Sequence, residues 1–172
     1  TSGGKIAHFE RVEWQAMPEQ ATAAAALRSG EIDWYEQVQP DLVPSLRAHP
    51  QITIGNANPT GFNGIMRFNH LHAPFNNPAI RRAILLAVSQ QDYMQALTGG
   101  DPTSYNNCRS MFPCSTPHGA DTGTKFMPAD LAAARAALKA AGYDGAKVVV
   151  LSPADVPTIH PMGEVTADLL KR

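Results

Sequence analysis

Charged residues, cysteines and long apolar runs are all scarce in this chain of 172 residues. Only 17% of the residues are charged, and 14 Lys and Arg residues nearly balance 15 Asp and Glu residues, which leaves a formal net charge of −1. This balance provides no field that would attract nucleic acid or an anionic membrane surface. Because no run of about 18 apolar residues is present, no transmembrane helix is expected. The hydrophobic share of 44% still predicts a folded chain with a core.

The sequence also lacks the short motifs of the common enzyme classes. It contains no G-x-S-x-G elbow, no H-E-x-x-H motif, no G-x-x-x-x-G-K-[ST] phosphate loop and no G-x-G-x-x-G after a strand. Ser110 and Ser115 lie near His118 in the sequence, but nothing in the pattern supplies an oxyanion site. We therefore expect neither catalytic activity nor a cofactor.

Helices are predicted from their ends and from their apolar spacing. Proline fits the first turn of a helix, side chains such as Asn or Asp cap its beginning, and glycine follows its last turn. On these signals the predicted helices run from about Pro18 to Leu27 before Gly30, from Pro78 after the N-cap Asn77, from about Asp130 to Ala141 before Gly142, and from Glu164 to Arg172.

Short segments rich in Ile, Val and aromatic residues lie between these helices and read as strands. They cover residues 6–14, 32–38, 52–56, 65–69 and 147–152. The continuous apolar run Val148–Leu151 is typical of a strand covered on both faces. Strands that alternate with helices predict an α/β fold with a mixed sheet and flanking helices.

The segment from Thr98 to Pro128 has no sustained periodicity and is rich in Gly, Pro, Ser, Thr, Asn and Asp. A loop of about thirty residues is uncommon in a compact domain and is usually functional or disordered. The side chains of Tyr105, Met111 and Phe112 favour an ordered loop.

The only two cysteines, Cys108 and Cys114, lie within this loop. A local disulfide and two reduced thiols are both compatible with their spacing. A zinc site that recruits His118 would have only three ligands, in a spacing that matches no known finger.

A second feature that suggests binding lies between Gly61 and Gly64, where Phe62 and Asn63 could line a cleft. Glycines at the beginning of a strand often mark the close approach of a ligand or of another backbone segment. Two further residues, His70 and His72, are spaced to share one face of a strand and could ligate Ni or Zn. The simpler interpretation of these histidines is that they are solvated or hydrogen-bonded, and no metal site is assigned.

The order of several phrases resembles the family 5 extracellular solute-binding proteins, which are the oligopeptide, dipeptide and nickel receptors of bacterial ABC importers. The phrases are VEWQAMPEQATAAAALRSGEIDW, GIMRFNHLHAPFNNPAIRRAILLAVSQQDYM, and DLAAARAALKAAGYDG followed by VVVLSP. The most specific matches are Asn69, Pro74-Phe75, Asn77-Pro78, Arg81-Arg82-Ala83 and Ala141-Gly142-Tyr143. Together these matches extend over nearly the whole chain.

The resemblance implies a type II periplasmic-binding-protein fold, in which two α/β lobes close on a small solute. Known members are much longer, so residues 1–60 would form the end of the first lobe and residues 61–172 the first part of the second. The implied partners are a peptide-like or other small solute and the membrane permease of an ABC importer. A periplasmic location agrees with a Cys108–Cys114 disulfide, and the absence of a signal peptide from this segment agrees with a piece of a longer receptor.

The ligand-binding residues that we assign on this basis are Phe62, Asn63, Tyr105, Phe112, His160 and Glu164. Dipeptide receptors of the family carry an Arg near the beginning of the helix that follows the strand resembling VVVLSP. The corresponding position here is near Glu164, whose carboxylate would repel the carboxylate of a peptide. A cationic or neutral solute is therefore favoured over a dipeptide.

The sequence is also compatible with two alternatives. The first is a metal or metallophore receptor that would use His70, His72, His118 or His160. The second is a cytosolic α/β enzyme domain, in which both cysteines would be free thiols.

Overall fold

The computed structural model describes residues 4–58 and 61–172. Within these ranges the chain forms six α-helices and one 3-10 turn, the latter at Thr124–Phe126. The helices are α1 (Gln20–Ser29), α2 (Val43–Arg47), α3 (Pro78–Ala87), α4 (Gln90–Thr98), α5 (Leu131–Ala140) and α6 (His160–Lys171). None of the helices in the described part of the chain has the length and apolar character needed to cross a membrane.

The helix ends follow the signals in the sequence. The side chain of Asn77 accepts a hydrogen bond from the backbone N–H of Ala79 at 2.9 Å and caps α3. Asp130 accepts one from the N–H of Ala133 at 2.9 Å and caps α5 in the same way. Gly30 follows α1 in the left-handed conformation, with φ +75°. The predictions of α1, α3 and α5 are confirmed, except that α1 begins at Gln20 after the N-cap Glu19, so Pro18 lies before the helix and not in its first turn.

Two helices were not predicted, and α6 is longer than expected. Ser89 caps α4 by accepting a hydrogen bond from the N–H of Asp92 at 3.3 Å, and Gly99 follows the helix with φ +64°. These residues are the start and stop signals that would have identified α4 in the sequence. The helix α6 begins at His160, about one turn before the predicted Glu164.

The core lies where α3 packs against α5 and α6 joins them. Its buried residues are Ala87, Ala134 and Leu169, with Leu86, Val88 and Leu131 packed around them. Asp130 donates its backbone N–H to the carbonyl of Leu86 at 2.8 Å, and the Asn77 amide donates to the carbonyl of Ala141 at 3.2 Å. Each end of α3 is therefore tied to the opposite end of α5, so the two helices run antiparallel.

The prediction of a mixed sheet is wrong for the described residues, because residues 4–58 and 61–172 contain no strand. The segment 147–152 contains the apolar run Val148–Leu151 and lies along the helices, but it pairs with no second segment among the described residues. Val149 is 70% exposed and Leu151 is 91% exposed, so the run is also not covered on both faces. A β-strand requires a partner for its N–H and C=O groups, whereas the sequence pattern reports only a preference for extended backbone.

Candidate functional site

Two segments closely approach the first turns of α6. A Cβ atom added to Gly163 would overlap the hydroxyl oxygen of Ser152, which places the end of segment 147–152 directly against the helix. A Cβ added to Gly64 would lie 2.7 Å from the sulfur of Met162, so the segment that follows residue 60 also reaches this turn. We call Gly64, Ser152, His160, Met162 and Glu164 the α6-start cluster.

A chain of polar contacts runs through the α6-start cluster. The Ser152 Oγ lies 3.4 Å from His160 Nδ1 and donates a hydrogen bond to the His160 carbonyl oxygen at 3.4 Å. On the other side of the ring, His160 Nε2 lies 3.5 Å from Glu164 Oε1, one helical turn further on. The side chains of His160 and Glu164 are 40% and 70% exposed, respectively. A ligand can therefore reach both the imidazole and the carboxylate.

Four of the six residues assigned from the sequence lie at or next to this cluster. His160 and Glu164 are two of its members, and Phe62 and Asn63 immediately precede Gly64 in the chain. Phe62 is 92% exposed, so its ring has almost no cover within the described residues. The contribution of Ser152 was missed in the sequence, where a single serine at the end of an apolar run carries no signal.

The other two assigned residues, Tyr105 and Phe112, belong to the loop that contains the cysteines. The amide of Gln91 donates a hydrogen bond to the hydroxyl of Tyr105 at 2.6 Å, which holds this ring against the beginning of α4. Phe112 is largely exposed and its ring stacks obliquely on His118, with 5.9 Å between the ring centroids. Tyr105 therefore contacts α4, and Phe112 contacts another residue of the loop.

The loop is closed by a disulfide between Cys108 and Cys114, whose Cα atoms lie 5.8 Å apart. This confirms the disulfide interpretation and excludes both the free thiols and the zinc site. The side chain of Gln90 clamps the loop to α4: its amide donates to the Cys108 carbonyl at 2.7 Å, and its oxygen accepts from the Cys108 N–H at 2.8 Å. The Gln90 clamp was not predicted, because it joins residues that are 18 positions apart.

The two parts of the site are connected through α4 and α6. Tyr93 on α4 and Thr166 on α6 form a hydrogen bond of 2.9 Å between their hydroxyl oxygens. Burial raises the pKa of the Tyr93 phenol above its ordinary value; the hydrogen bond with Thr166 lowers the pKa in part, and the neighbouring Asp92 carboxylate raises it. Asp92 also lies 3.8 Å from the guanidinium of Arg172 at the end of α6.

An apolar groove of about 500 Å³ lies between segment 147–150 and the helices. Its lining includes Ile80 and Ile84 of α3, Leu138 of α5 and Leu170 of α6. Ile80, Ile84 and Leu138 belong to the apolar faces of their helices, and Leu170 is the last apolar residue of α6. We therefore interpret the groove as an incompletely filled part of the core rather than as a ligand site.

The histidines do not gather into a metal site within residues 4–58 and 61–172. No group of three or more His, Cys, Asp or Glu side chains comes together in this part of the chain. His160 meets a single carboxylate, that of Glu164. The described residues therefore give the hypothesis of a metal receptor no support.

Comparison with known proteins agrees with the resemblance noted in the sequence. Residues 2–172 match the sequence profile of the bacterial extracellular solute-binding proteins, family 5 Middle. The chain is also 32% identical over 174 aligned positions to a probable peptide ABC transporter periplasmic-binding protein, y4tO, of Sinorhizobium fredii. The alignment covers 99% of this chain and 33% of that relative, so the chain spans about a third of the relative's length. The chain belongs to the family 5 bacterial extracellular solute-binding proteins.

Proposed function

We propose that this chain is part of the solute-binding receptor of an ABC importer, which acts in the periplasm and presents a peptide-like solute to a membrane permease. The observation that carries this proposal is the family match over residues 2–172. The relative from Sinorhizobium fredii is a probable peptide ABC transporter periplasmic-binding protein, which supports a peptide-like solute. The receptor binds its solute and catalyses no reaction.

The exposure of the assigned aromatic side chains supports a binding site to which a part of the receptor outside the described residues also contributes. Small-molecule sites bury most of the ligand surface in a concave pocket, typically about 70–90% of it. Phe62 is 92% exposed and Phe112 is 54% exposed, so neither ring forms an enclosed pocket here. In our proposal residues 1–60 end the first lobe, residues 61–172 begin the second, and closure of the lobes covers these side chains.

In the proposed site each assigned residue has a role that follows from its chemistry. Phe62 and Phe112 provide apolar contact surface, whereas Asn63, Tyr105, His160 and Glu164 orient polar groups of the solute. Tyr105 is preorganised by Gln91, whose second amide contact is with the side chain of Asn107 at 2.7 Å. A ring that is held in place before the ligand arrives loses less conformational entropy on binding.

The test is native mass spectrometry of the receptor that contains this chain, purified from the periplasm of its own cell and then exposed to a defined mixture of short peptides. We expect the receptor to retain a peptide-like solute noncovalently. A Phe62→Ala variant should retain less of it, because a large aromatic contact surface is lost. The matched control is Trp14→Ala, which removes another exposed aromatic side chain outside the assigned site.

Two outcomes would contradict the proposal. The first is a receptor that retains no solute from either source. The second is equal retention by the wild type and by a Phe62→Ala, Tyr105→Ala double variant, which would place the binding site elsewhere.

A further inference from the structure

We propose that Asn63 is a modification site, at which the side-chain amide is lost as ammonia and aspartate or isoaspartate is formed. Asparagine is a chemically labile residue, and its loss of ammonia begins when the backbone nitrogen of the next residue reaches the side chain. Asn63 is the only asparagine of the sequence that is followed by glycine. The modification is a property of the chain itself and does not depend on solute binding.

The reaction requires only the chain and water. The backbone nitrogen of Gly64 attacks the side-chain carbonyl carbon of Asn63, so that a new N–Cγ bond forms and the Cγ–Nδ2 bond breaks. The proton of the Gly64 N–H leaves with the side-chain NH₂ group as ammonia, and a five-membered succinimide ring remains. Water then opens the ring at one of its two carbonyl carbons, which yields either aspartate or isoaspartate. No oxidation or reduction takes place.

In the described part of the chain, the two reacting groups are unrestrained by hydrogen bonds. Asn63 and Gly64 are both exposed and lie outside the helices. Among residues 4–58 and 61–172, no group forms a hydrogen bond with the Asn63 amide or with the Gly64 N–H. Glycine has no Cβ that would obstruct the attack, and its backbone adopts the required conformations readily.

Hydrogen bonds restrain three of the other asparagines. The side-chain oxygens of Asn56 and Asn69 each accept a hydrogen bond from the backbone N–H two residues further along, at 2.9 Å and 3.1 Å, respectively. Asn107 is held at both reacting groups. Its amide donates to Gln91 Oε1 at 2.7 Å, and the N–H of the next residue donates to Gln90 Oε1 at 2.8 Å. These contacts oppose the approach of the nitrogen to the side chain.

The remaining asparagines lack a suitable attacking group. Asn58 and Asn77 are followed by proline, which has no N–H to lose. For Asn76 the attacking N–H is donated to the carbonyl of Pro74 at 3.2 Å. Asn106 is exposed like Asn63, but the next residue is an asparagine, whose Cβ obstructs the attack. Asn63 therefore combines features that no other asparagine of the chain has.

The modification would also change the candidate site. Asn63 is one of the residues assigned to the solute, and Gly64 lies against the side chain of Met162 at the beginning of α6. Aspartate replaces a neutral amide with a negative charge, whereas isoaspartate also adds one methylene group to the backbone between residues 63 and 64. This consequence, unlike the modification itself, rests on the proposed function.

The experiment is incubation of this chain at neutral and at mildly alkaline pH, followed by digestion and mass spectrometry of the peptides that contain asparagine. Replacement of NH₂ by OH raises the mass of a peptide, and fragmentation distinguishes isoaspartate from aspartate. We expect the fastest loss of ammonia at Asn63, and a faster loss at alkaline pH, because the attacking nitrogen must give up its proton. Asn106 is the matched internal control, since it is exposed but not followed by glycine.

The same incubation in guanidinium chloride provides the reference without tertiary contacts. The rate at Asn63 should change little on unfolding, because the folded chain does not hold its reacting groups. The rate at Asn107 should rise about fivefold or more, since the hydrogen bond from the attacking N–H to Gln90 is lost. Asn63→Gln should remove the reaction from this peptide, because the longer side chain would have to close a larger ring.

A loss of ammonia at Asn63 that is no faster than at Asn106 would overturn the inference. So would a large acceleration at Asn63 on unfolding, which would show that the folded chain protects this residue. Both rates are measured without a solute. Their failure would therefore leave the proposed function standing, since that function is tested by solute retention.

Discussion

The phenol of Tyr93 donates a hydrogen bond to the hydroxyl of Thr166, with 2.9 Å between the two oxygens. The direction follows from Thr166, whose own proton is donated to the Met162 carbonyl at 2.8 Å. This bond joins α4, which holds the disulfide loop, to α6, which begins at the candidate site. The relative position of the loop and the α6-start cluster thus depends on a contact between residues 73 positions apart.

Removal of this bond should destabilise the packing of α4 on α6. We expect Tyr93→Phe to lower the free energy of unfolding by about 1 kcal/mol, because the Thr166 oxygen then loses one partner at a buried position. The measurement is urea unfolding of Tyr93→Phe, Thr166→Val and the double variant. The two changes should be non-additive, whereas strictly additive effects would show that the residues do not interact.

The burial of the Tyr93 phenol predicts a loss of stability at high pH. The pKa of Tyr93 is raised in the folded chain, mainly by burial, so its neutral form is favoured there. A raised pKa means that the contribution to stability is complete below the unfolded value of about 10 and is lost as the pH rises through the folded pKa. The stability difference between wild type and Tyr93→Phe should therefore shrink above about pH 10. A difference that stays constant up to pH values above the folded pKa would contradict this assignment.

Reduction of the disulfide should loosen the loop and leave the helices intact. The ring between Cys108 and Cys114 is small, and its closure removes chain entropy on the order of 2 kcal/mol. Arg109 lies inside the ring and offers a trypsin site, for which we expect about tenfold faster cleavage after reduction. Cleavage after Lys139 in α5 is the internal control and should not change. Equal rates of cleavage after Arg109 with and without reductant would show that the disulfide does not stabilise the loop.

The Gln90 clamp should hold the base of the loop even when the disulfide is open. Gln90→Ala removes two hydrogen bonds to the backbone of Cys108, each worth about 1 kcal/mol. Hydrogen exchange at the Cys108 amide should then become faster by about tenfold or more. The control is Gln95→Ala, which truncates an exposed glutamine on the same helix. Unchanged protection at Cys108 in the Gln90 variant would show that the clamp is not formed in solution.

The close contact at Gly163 predicts an unusually costly alanine substitution within a helix. Alanine normally stabilises a helix interior relative to glycine by about 1 kcal/mol. Here the new Cβ would overlap Ser152 Oγ, so segment 147–152 or α6 must move. We expect Gly163→Ala to lower the free energy of unfolding by about 1–3 kcal/mol, as other overpacked sites do. Gly55→Ala, where no atom lies within 4 Å of the added Cβ, should be nearly neutral. A stabilised Gly163→Ala variant would refute the contact.

The sequence by itself determined the features that depend on neighbouring residues. Asn77 and Asp130 cap α3 and α5 by accepting hydrogen bonds from backbone N–H groups two and three residues further along the chain, respectively. Their capping roles could therefore be predicted from the sequence alone. The two cysteines stand six positions apart, and their disulfide was one of the alternatives that this spacing allowed. The family resemblance likewise depended only on the order of short motifs along the sequence.

Only the tertiary structure decided the features that require a distant partner. The run Val148–Leu151 has the composition of a central strand, yet within the described residues it pairs with no second segment and exposes Val149 and Leu151. Backbone pairing depends on another segment that supplies complementary N–H and C=O groups, and no local pattern guarantees one. The contact of Ser152 with His160 arises in the same way, since it forms where segment 147–152 packs against the first turn of α6. Local hydrogen bonds are set by sequence spacing, whereas sheet pairing and the α6-start cluster are set by which surfaces the folded chain brings together.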